Sequence, residues 1–273
     1  ERFFPPGTPV YISSPTWGNH TNIFQDAGIK DVRSYRYYKA ETRGLDYEGF
    51  LADLRVNIQF IFEYIHIFSV WQAAPKGSMI LLHTCAHNPT GVDPTIEQWN
   101  GILDVIQVFN RLIKYDLYLA SIIGEELFPF FDTAYQGFAT GDLDRDAAPV
   151  RIAVSRGFEL MASQSYSKNF GLYGIYNNIQ PPTSIVNNNT TGERVGCFSM
   201  VCKTPEIANA VVSQLKIIVR PMYSNPPTWG ARIVATVLND KELFAEWVDQ
   251  LRGMSSRIQR MRQELYDAIK KNG

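Results

Sequence analysis

Apolar residues recur along this chain in two rhythms. Short runs at Pro9–Ser13, Asp31–Tyr37, Met79–His83, Phe128–Asp132, Phe158–Ser163 and Gly196–Cys202 predict strands. Several are unbroken rather than alternating, as expected for strands covered on both faces. A three-to-four step predicts helices at Thr95–Gln107, after Pro94, and at Pro205–Leu215. The same step runs from Leu243 through Trp247, Leu251, Met254, Ile258 and Leu265 to Ile269. That predicts a final helix of about thirty residues, longer than most globular helices, which reads as a crossing between domains. Strands alternating with helices predict an α/β fold: a mostly parallel sheet with helices on both faces.

Side chains with chemistry to offer collect just past the strand ends. Ser14-Pro15-Thr16-Trp17-Gly18-Asn19-His20 follows the first strand, and His87-Asn88-Pro89-Thr90-Gly91 the third. Asp132-Thr133-Ala134-Tyr135-Gln136-Gly137 closes the fourth, and Ser165-Tyr166-Ser167-Lys168-Asn169 the fifth. Open α/β sheets bind ligands beyond the carboxyl ends of their strands, so a site is expected at that edge. Lysine, aspartate, tyrosine, asparagine and tryptophan on separate strand ends suggest a lysine that forms a Schiff base with a cofactor aldehyde. The carboxylate would keep the cofactor's pyridine ring protonated.

Composition narrows the field. The 273 residues, 45% apolar and 19% charged, can bury a sizeable core and fit one large domain, or one domain and part of another. With 26 basic and 27 acidic residues the net charge is −1, so no global field draws the chain to nucleic acid or to acidic membranes. The strongly apolar stretch Phe60–Trp71 is interrupted by Glu63 and His66 and is too short to span a bilayer. Three cysteines, Cys85, Cys197 and Cys202, argue against a secreted disulfide scaffold. The chain opens at Glu1 with no targeting segment, an observation that by itself decides nothing.

Six stretches in order carry a resemblance: SPTWGNH (14–20), LLHTCAHNPTGVDPTIEQW (81–99), PFFDTAYQGFATG (129–141), SQSYSKNFGLYG (163–174), ERVGCFSMVCK (193–203) and RPMYSNPPTWGARI (220–233). Together they resemble the aspartate aminotransferase branch of the pyridoxal-phosphate-dependent enzymes of fold type I. The resemblance implies that Lys168 is the Schiff-base lysine and the proton shuttle, and that Asp132 faces the pyridine nitrogen. Tyr135 and Asn88 would hydrogen-bond the cofactor's phenolic oxygen, Trp17 would stack on the ring, and His20 would orient Asp132. Ser165 and Arg194 match phosphate ligands. Arg220 matches the arginine that binds the distal carboxylate of aspartate or glutamate across a dimer interface, while Trp17 and Asn88 also border the substrate. The expected cofactor is therefore pyridoxal 5'-phosphate. The expected substrates are dicarboxylic amino acids and 2-oxo acids, and the expected assembly is a homodimer with a shared active site, with neither nucleic acid nor membrane as partner. Residues 1–235 would form the cofactor-binding large domain, lacking its N-terminal part, and 236–273 the interdomain helix leading to a truncated small domain. Relatives place a phosphate loop before the point matching Glu1 and a carboxylate-binding arginine beyond Gly273, so the isolated chain is expected to be inactive. RPMYSNPP, MVCK and the LYGERVG left by removing residues 175–192 look most like the mitochondrial branch, with the cytosol as second choice.

Three stretches depart from that pattern: 56–72, about 108–125 and 175–192. Arg194 stands 26 residues after Lys168, and removing the 18 residues of the third stretch restores the family's spacing of eight. All three are rich in Ile, Asn, Tyr and Phe, residues with A/T-rich codons, and they read as translated introns. Genuine surface insertions are the alternative, and a mis-spliced, non-catalytic product is the rival to a working enzyme. Two other motifs have weaker readings. Ser165-x-x-Lys168 matches the serine–lysine pair of penicillin-binding hydrolases, but without their companion motifs. His83, Cys85 and His87 have metal-like spacing, which an apolar strand followed by a Pro-Gly turn does not favour, so no metal is expected. The sequons at Asn19 and Asn188 are read as chance matches.

Overall fold

The computed structural model describes residues 4, 6–54, 78–115, 127–172, 193–226 and 228–272, with the backbone alone at 108–115 and 272. Two compact units divide the chain. One comprises Glu1–Asp132, Ala148–Ala162 and Met200–Cys202; the other comprises Thr133–Ala147, Ser163–Ser199 and Lys203–Gly273.

A six-stranded sheet runs in the order β2-β1-β5-β6-β7-β8, and its first three strands lie wholly in the first unit. Its strands are β1 (Val10–Ser14), β2 (Val32–Arg36), β5 (Met79–His83), β6 (Phe128–Thr133), β7 (Leu160–Ser165) and β8 (Gly196–Val201). A separate antiparallel ribbon joins β3 (Tyr38–Lys39) to β4 (Gly44–Leu45). β1 pairs in parallel with β2 and β5, and β5 pairs in parallel with β6 from Met79↔Phe128 to His83↔Asp132. Parallel pairing sends these strands out at the same edge, so the segments after Ser14, His83 and Asp132 emerge side by side.

Every residue of β5 is buried. Successive side chains of a strand point to opposite faces. Accordingly, Ile80 and Leu82 join a core with Tyr35, Phe131 and Leu160, whereas Met79 and Leu81 join a second core with Val10, Ile12 and Met161. A helix over 47–54, α2, covers the first face with Phe50, Leu51 and Leu54, and α3 (Ile96–Tyr115) adds Trp99, Ile102, Leu103 and Ile106. The spacing 99, 102, 103, 106 is one face of a helix, which explains why this segment coils and which side it buries. α1 (Asn19–Asp26) supplies Phe24 to the second core. α5 (Ala148–Ser155) returns to the first face through Ala153.

α3 begins with a reciprocal cap. The Gln98 amide donates to Thr95 Oγ1 at 3.2 Å, and the Thr95 amide donates to Gln98 Oε1 at 2.9 Å. It runs to Tyr115, eight residues beyond the predicted end at Gln107. Neither proline nor glycine falls between Ile102 and Tyr115 to stop it. The expected interruption at about 108–125 thus has its first eight residues in a helix, while 116–125, like 56–72 and 175–192, lies outside the described residues.

In the second unit lie α4 (Leu143–Asp146), α6 (Pro205–Tyr223), α7 (Trp229–Asn239) and α8 (Lys241–Asn272). α6 is capped by the Thr204 hydroxyl on the Ile207 amide and extends past the predicted Leu215 to Tyr223. Pro221 sits in its last turn, where a missing N–H interrupts little because the helix ends two residues later at Tyr223 and is followed by Ser224, whose φ is +66°. α8 spans 32 residues, as its apolar step predicts. Leu251 and Ser255 on one side of it are buried, and the Ser255 hydroxyl donates to the Phe138 carbonyl at 3.0 Å. Sequence periodicity missed α1, α2, α4, α5 and α7, because each has eleven residues or fewer, too short for a sustained stripe. The division at 235/236 read from the sequence falls inside α7 and is of another kind than the two contact-defined units.

Candidate active site

In the first unit, four side chains meet at the shared strand edge. β1 ends at Ser14, and the turn through Thr16 and Trp17 delivers His20 to the first turn of α1, where its amide donates to the Trp17 carbonyl at 3.0 Å. β5 ends at His83, and the Thr84 amide donates to the Asp132 carbonyl at 2.9 Å, locking the ends of β5 and β6 together. His20 Nε2 then lies 3.3 Å from Asp132 Oδ2, and His20 Nδ1 lies 2.8 Å from Thr16 Oγ1. The same hydroxyl is 3.4 Å from His83 Nε2. A carboxylate only accepts, so His20 Nε2–H donates to Asp132; with the ring neutral, Nδ1 accepts a hydrogen bond from the Thr16 hydroxyl. Thr16 oxygen is then the acceptor for His83 Nε2–H. The result is a directed chain, His83 to Thr16 to His20 to Asp132, that fixes the carboxylate's orientation. The Asp132 side chain is 23% exposed and Trp17 is 40% exposed, so both can reach a ligand. The Trp17 and His20 rings meet edge to face, with centroids 5.3 Å apart.

The loop carrying Asn88 is held by its neighbour. His87 Nε2 is 2.9 Å from Ser13 Oγ and Nδ1 is 2.8 Å from Thr90 Oγ1, while the ring stacks on Tyr37 at 3.8 Å. The Asp93 carboxylate accepts from the amides of Ala86 and His87 at 2.6 and 2.9 Å, which stabilises Ala86 at its positive φ of 47°. Burial pushes His83 down to about 4, with Asp132 opposing the shift and His20 adding to it. Burial, reinforced by His83 and His20, pushes His87 down to about 3. Both imidazoles are therefore neutral near pH 7. His20, His83 and Asp132 each offer an atom within 4.8 Å of the others, a spacing that could hold a cation. Those atoms are already engaged by the hydrogen-bond chain, which accounts for the arrangement without an ion.

In the second unit, β7 ends at Ser165, and the turn over 167–170 presents Lys168 half-buried. Lys168 Nζ donates to Ser165 Oγ at 3.4 Å and lies 5.4 Å from the centroid of the Tyr135 ring. An ammonium at that range is attracted by the ring's negative face. Ser165 Oγ also accepts from the Ser167 amide at 3.3 Å, which shapes the turn. The next residue, Asn169, is buried and donates through Nδ2 to the Gln136 carbonyl at 3.2 Å. Its own carbonyl accepts from the Trp247 indole at 2.9 Å. Arg194 is exposed with φ +44°, its amide donating to the Leu172 carbonyl at 3.1 Å. Arg220 is exposed in the last turn of α6 and donates to Ser224 Oγ at 2.7 Å. Among the described residues, no hydrogen bond or ion pair joins Arg220 to another expected site residue.

The structure thus groups Trp17, His20 and Asp132 in one unit and Tyr135, Ser165 and Lys168 in the other, while Asn88 stands beside the anchored His87. Sequence reasoning weighed His83 and His87 only as metal ligands and passed over Thr16. The available signal was a histidine ending an apolar strand that pairs with the strand ending in Asp132.

Comparison with known proteins gives the class. The model of the family "Aminotransferase class I and II" matches residues 1–176 and 187–273, and the chain belongs to that family. The gap in the match, 177–186, falls within the third departing stretch. The chain is 48% identical over 269 residues to the chloroplastic aspartate aminotransferase of Arabidopsis thaliana, covering 98% of this chain and 48% of that protein. It therefore spans about half the length of the curated relatives it matches. Other relatives are described as cytoplasmic or mitochondrial. Among solved structures it resembles the aspartate aminotransferase of Trypanosoma cruzi, with a TM-score of 0.77 and 44% identity over 100% of this chain and 56% of that one. It also resembles an aromatic-amino-acid aminotransferase from Burkholderia pseudomallei covalently bound to pyridoxal phosphate, with a TM-score of 0.77 and 36% identity over 100% and 55%.

Proposed function

We propose that the chain supplies the cofactor-binding half of a pyridoxal-phosphate-dependent aminotransferase that exchanges an amino group between aspartate and 2-oxoglutarate, giving oxaloacetate and glutamate. The observation that carries this reading is Lys168: a half-buried primary amine at a strand end, resting on the Ser165 hydroxyl and over the Tyr135 ring. The donor sets suit the cofactor's three kinds of polar group. Lys168 suits an aldehyde, the carboxylate of Asp132 braced by His20 suits a protonated ring nitrogen, and Ser165 and Arg194 suit a phosphate. Tyr135 and Asn88 would donate to the phenolic oxygen, and Trp17 would cover the ring face. When bound, pyridoxal phosphate supplies the electron sink that makes an amino acid's α-carbon proton removable. Lys168 Nζ would be the base that takes this proton and the acid that returns it, while Asp132, held by the Thr16–His20 chain, would keep positive charge on the ring nitrogen.

Arg220 would recognise the distal carboxylate across a homodimer interface, which selects dicarboxylic substrates; among the described residues its side chain donates to Ser224 in its own chain. Residues 1–235 would be the large domain and 236–273 the helix leading to the small one. The compartment proposed is the mitochondrion, with the cytosol second. The test is covalent. Pyridoxal phosphate added to the purified chain, followed by borohydride, should place a stable label on Lys168, and K168A should take none. Label spread over surface lysines, or none at all, sinks the reading. In a chain that turns over, replacing Arg220 with a neutral residue should raise KM for aspartate at least about tenfold, the loss of one charge-assisted contact, and spare aromatic substrates.

A further inference from the structure

A buried carboxylate in the second unit has no role in the reading above. Asp146 ends the short helix α4 and is 2% exposed. Its Oδ2 accepts from the amides of Gly137 and Ala139 at 2.7 and 3.2 Å. Its Oδ1 accepts from the Thr140 amide at 3.1 Å and the Thr140 hydroxyl at 2.6 Å. No ion pair to Asp146 occurs among the described residues, so this charge is solvated by the loop 137–140 itself. A buried carboxylate without a cation is costly unless its lone pairs are filled, and here four donors from three residues, Gly137, Ala139 and Thr140, fill them.

These donors define the loop directly after Tyr135 and Gln136. Gly137, at φ +93°, lets the chain turn its amide toward the carboxylate. The other side of the same loop is held by α8. Ser255 donates to the Phe138 carbonyl at 3.0 Å and Gln259 to the Ala139 carbonyl at 3.3 Å. The N–H groups of Gly137, Ala139 and Thr140 thus converge on Asp146, while the carbonyls of Phe138 and Ala139 are held by α8. Tyr135 is joined to the loop by a hydrogen bond from the Phe138 amide to its carbonyl at 3.0 Å.

We infer that Asp146 is a positioning residue for Tyr135: its carboxylate fixes the backbone of 137–140 and thereby the place of the phenol beneath Lys168. The inference deepens the proposed function and rests on it for the meaning of Tyr135, but not for the geometry. An amide cannot replace the carboxylate, because it offers one accepting atom where two are required and would point an N–H at an N–H.

The test reads Tyr135 directly in the chain without cofactor. Tyr135 is labelled alone with 3-fluorotyrosine, its fluorine resonance is recorded, and amide exchange is followed at Gly137, Ala139 and Thr140. D146N should shift or broaden the resonance and speed exchange about tenfold or more, the effect of losing a hydrogen bond to a charged group. D142N removes a charge from the same turn but keeps a capping side chain, and should change neither. An unmoved resonance in D146N, or an equal movement in D142N, overturns the inference. Should D146N fail to fold, T140A removes one of the four donors. It should shift the resonance in the same direction by less, and no shift overturns the inference. With pyridoxal phosphate bound, the pH titration of its visible band should move in D146N in the same direction as in Y135F. An unmoved band overturns Asp146's role, whereas a wild-type chain that takes no label on Lys168 sinks the proposed function and leaves the fluorine resonance to judge Asp146.

Discussion

At the residue scale, the histidines make a prediction whose sign follows from burial. An imidazole in the unfolded chain titrates near 6.5, whereas His83 and His87 are held down to about 4 and about 3 in the fold. Between those limits the unfolded chain binds protons that the folded chain refuses. Stability contributed by the neutral rings is therefore full above about pH 6.5 and is lost as pH falls, at up to about 1.4 kcal/mol per pH unit for each histidine. Urea midpoints measured from pH 6.5 down to 5 should fall, and H87Q should flatten the slope while lowering stability at pH 7. An H87Q slope equal to that of the wild type would mean that the ring is not buried neutral.

The loops of the site were legible at this scale because each follows a strand end and carries turn residues. The hydrogen-bond chain through Thr16, His20 and Asp132 was legible only in part. His20 and Asp132 were paired through family resemblance, but Thr16 and His83 enter because β1, β5 and β6 lie side by side. No local pattern encodes that adjacency. Asp146 shows the limit more sharply: in the run Asp142-Leu143-Asp144-Arg145-Asp146 the buried carboxylate looks no different from its exposed neighbours.

At the element scale, α8 is the part most clearly written in the sequence and the one whose contacts are least so. Its apolar step predicted its length, yet Met254, Ile258, Met261, Leu265 and Ile269 are exposed and the buried positions are Leu251 and Ser255. The stripe says that a face exists; packing says which part of it is covered. A Cβ on Gly137 would stand 2.1 Å from Leu251 Cδ2, at a φ of +93° that L residues rarely adopt. G137A should therefore cost roughly 1–3 kcal/mol from overpacking, with backbone strain in addition. L251A should cost about 2–5 kcal/mol by leaving a cavity at the same contact. Chemical denaturation reads both. Because the two substitutions act on one contact, the double variant should lose less than the sum. Additive losses would show that the helix and the loop are not coupled.

At the scale of the whole molecule, the three departing stretches bear on stability more weakly than their length suggests. Removing 175–192 shortens the connection between Lys168 and Arg194 from 26 residues to eight. Closure entropy grows only with the logarithm of loop length, so the gain should be about 1 kcal/mol. A deletion that instead unfolds the chain would show that the segment packs as part of the fold. The gap in the family match over 177–186 agrees with its being foreign to the pattern. Comparison of the spliced message with this sequence decides whether it is a retained intron.

From the sequence alone came the α/β class, the strands, the long helix and the motif residues, because hydrophobic period and turn chemistry are local properties that a linear text can carry. Tertiary structure alone decided which strands are neighbours, that Ile80 and Met79 belong to different cores, and that Asp146 is filled by the loop after Tyr135. Those outcomes depend on contacts between residues remote in the chain, whose free energies are set by register and burial rather than by any residue's immediate neighbours.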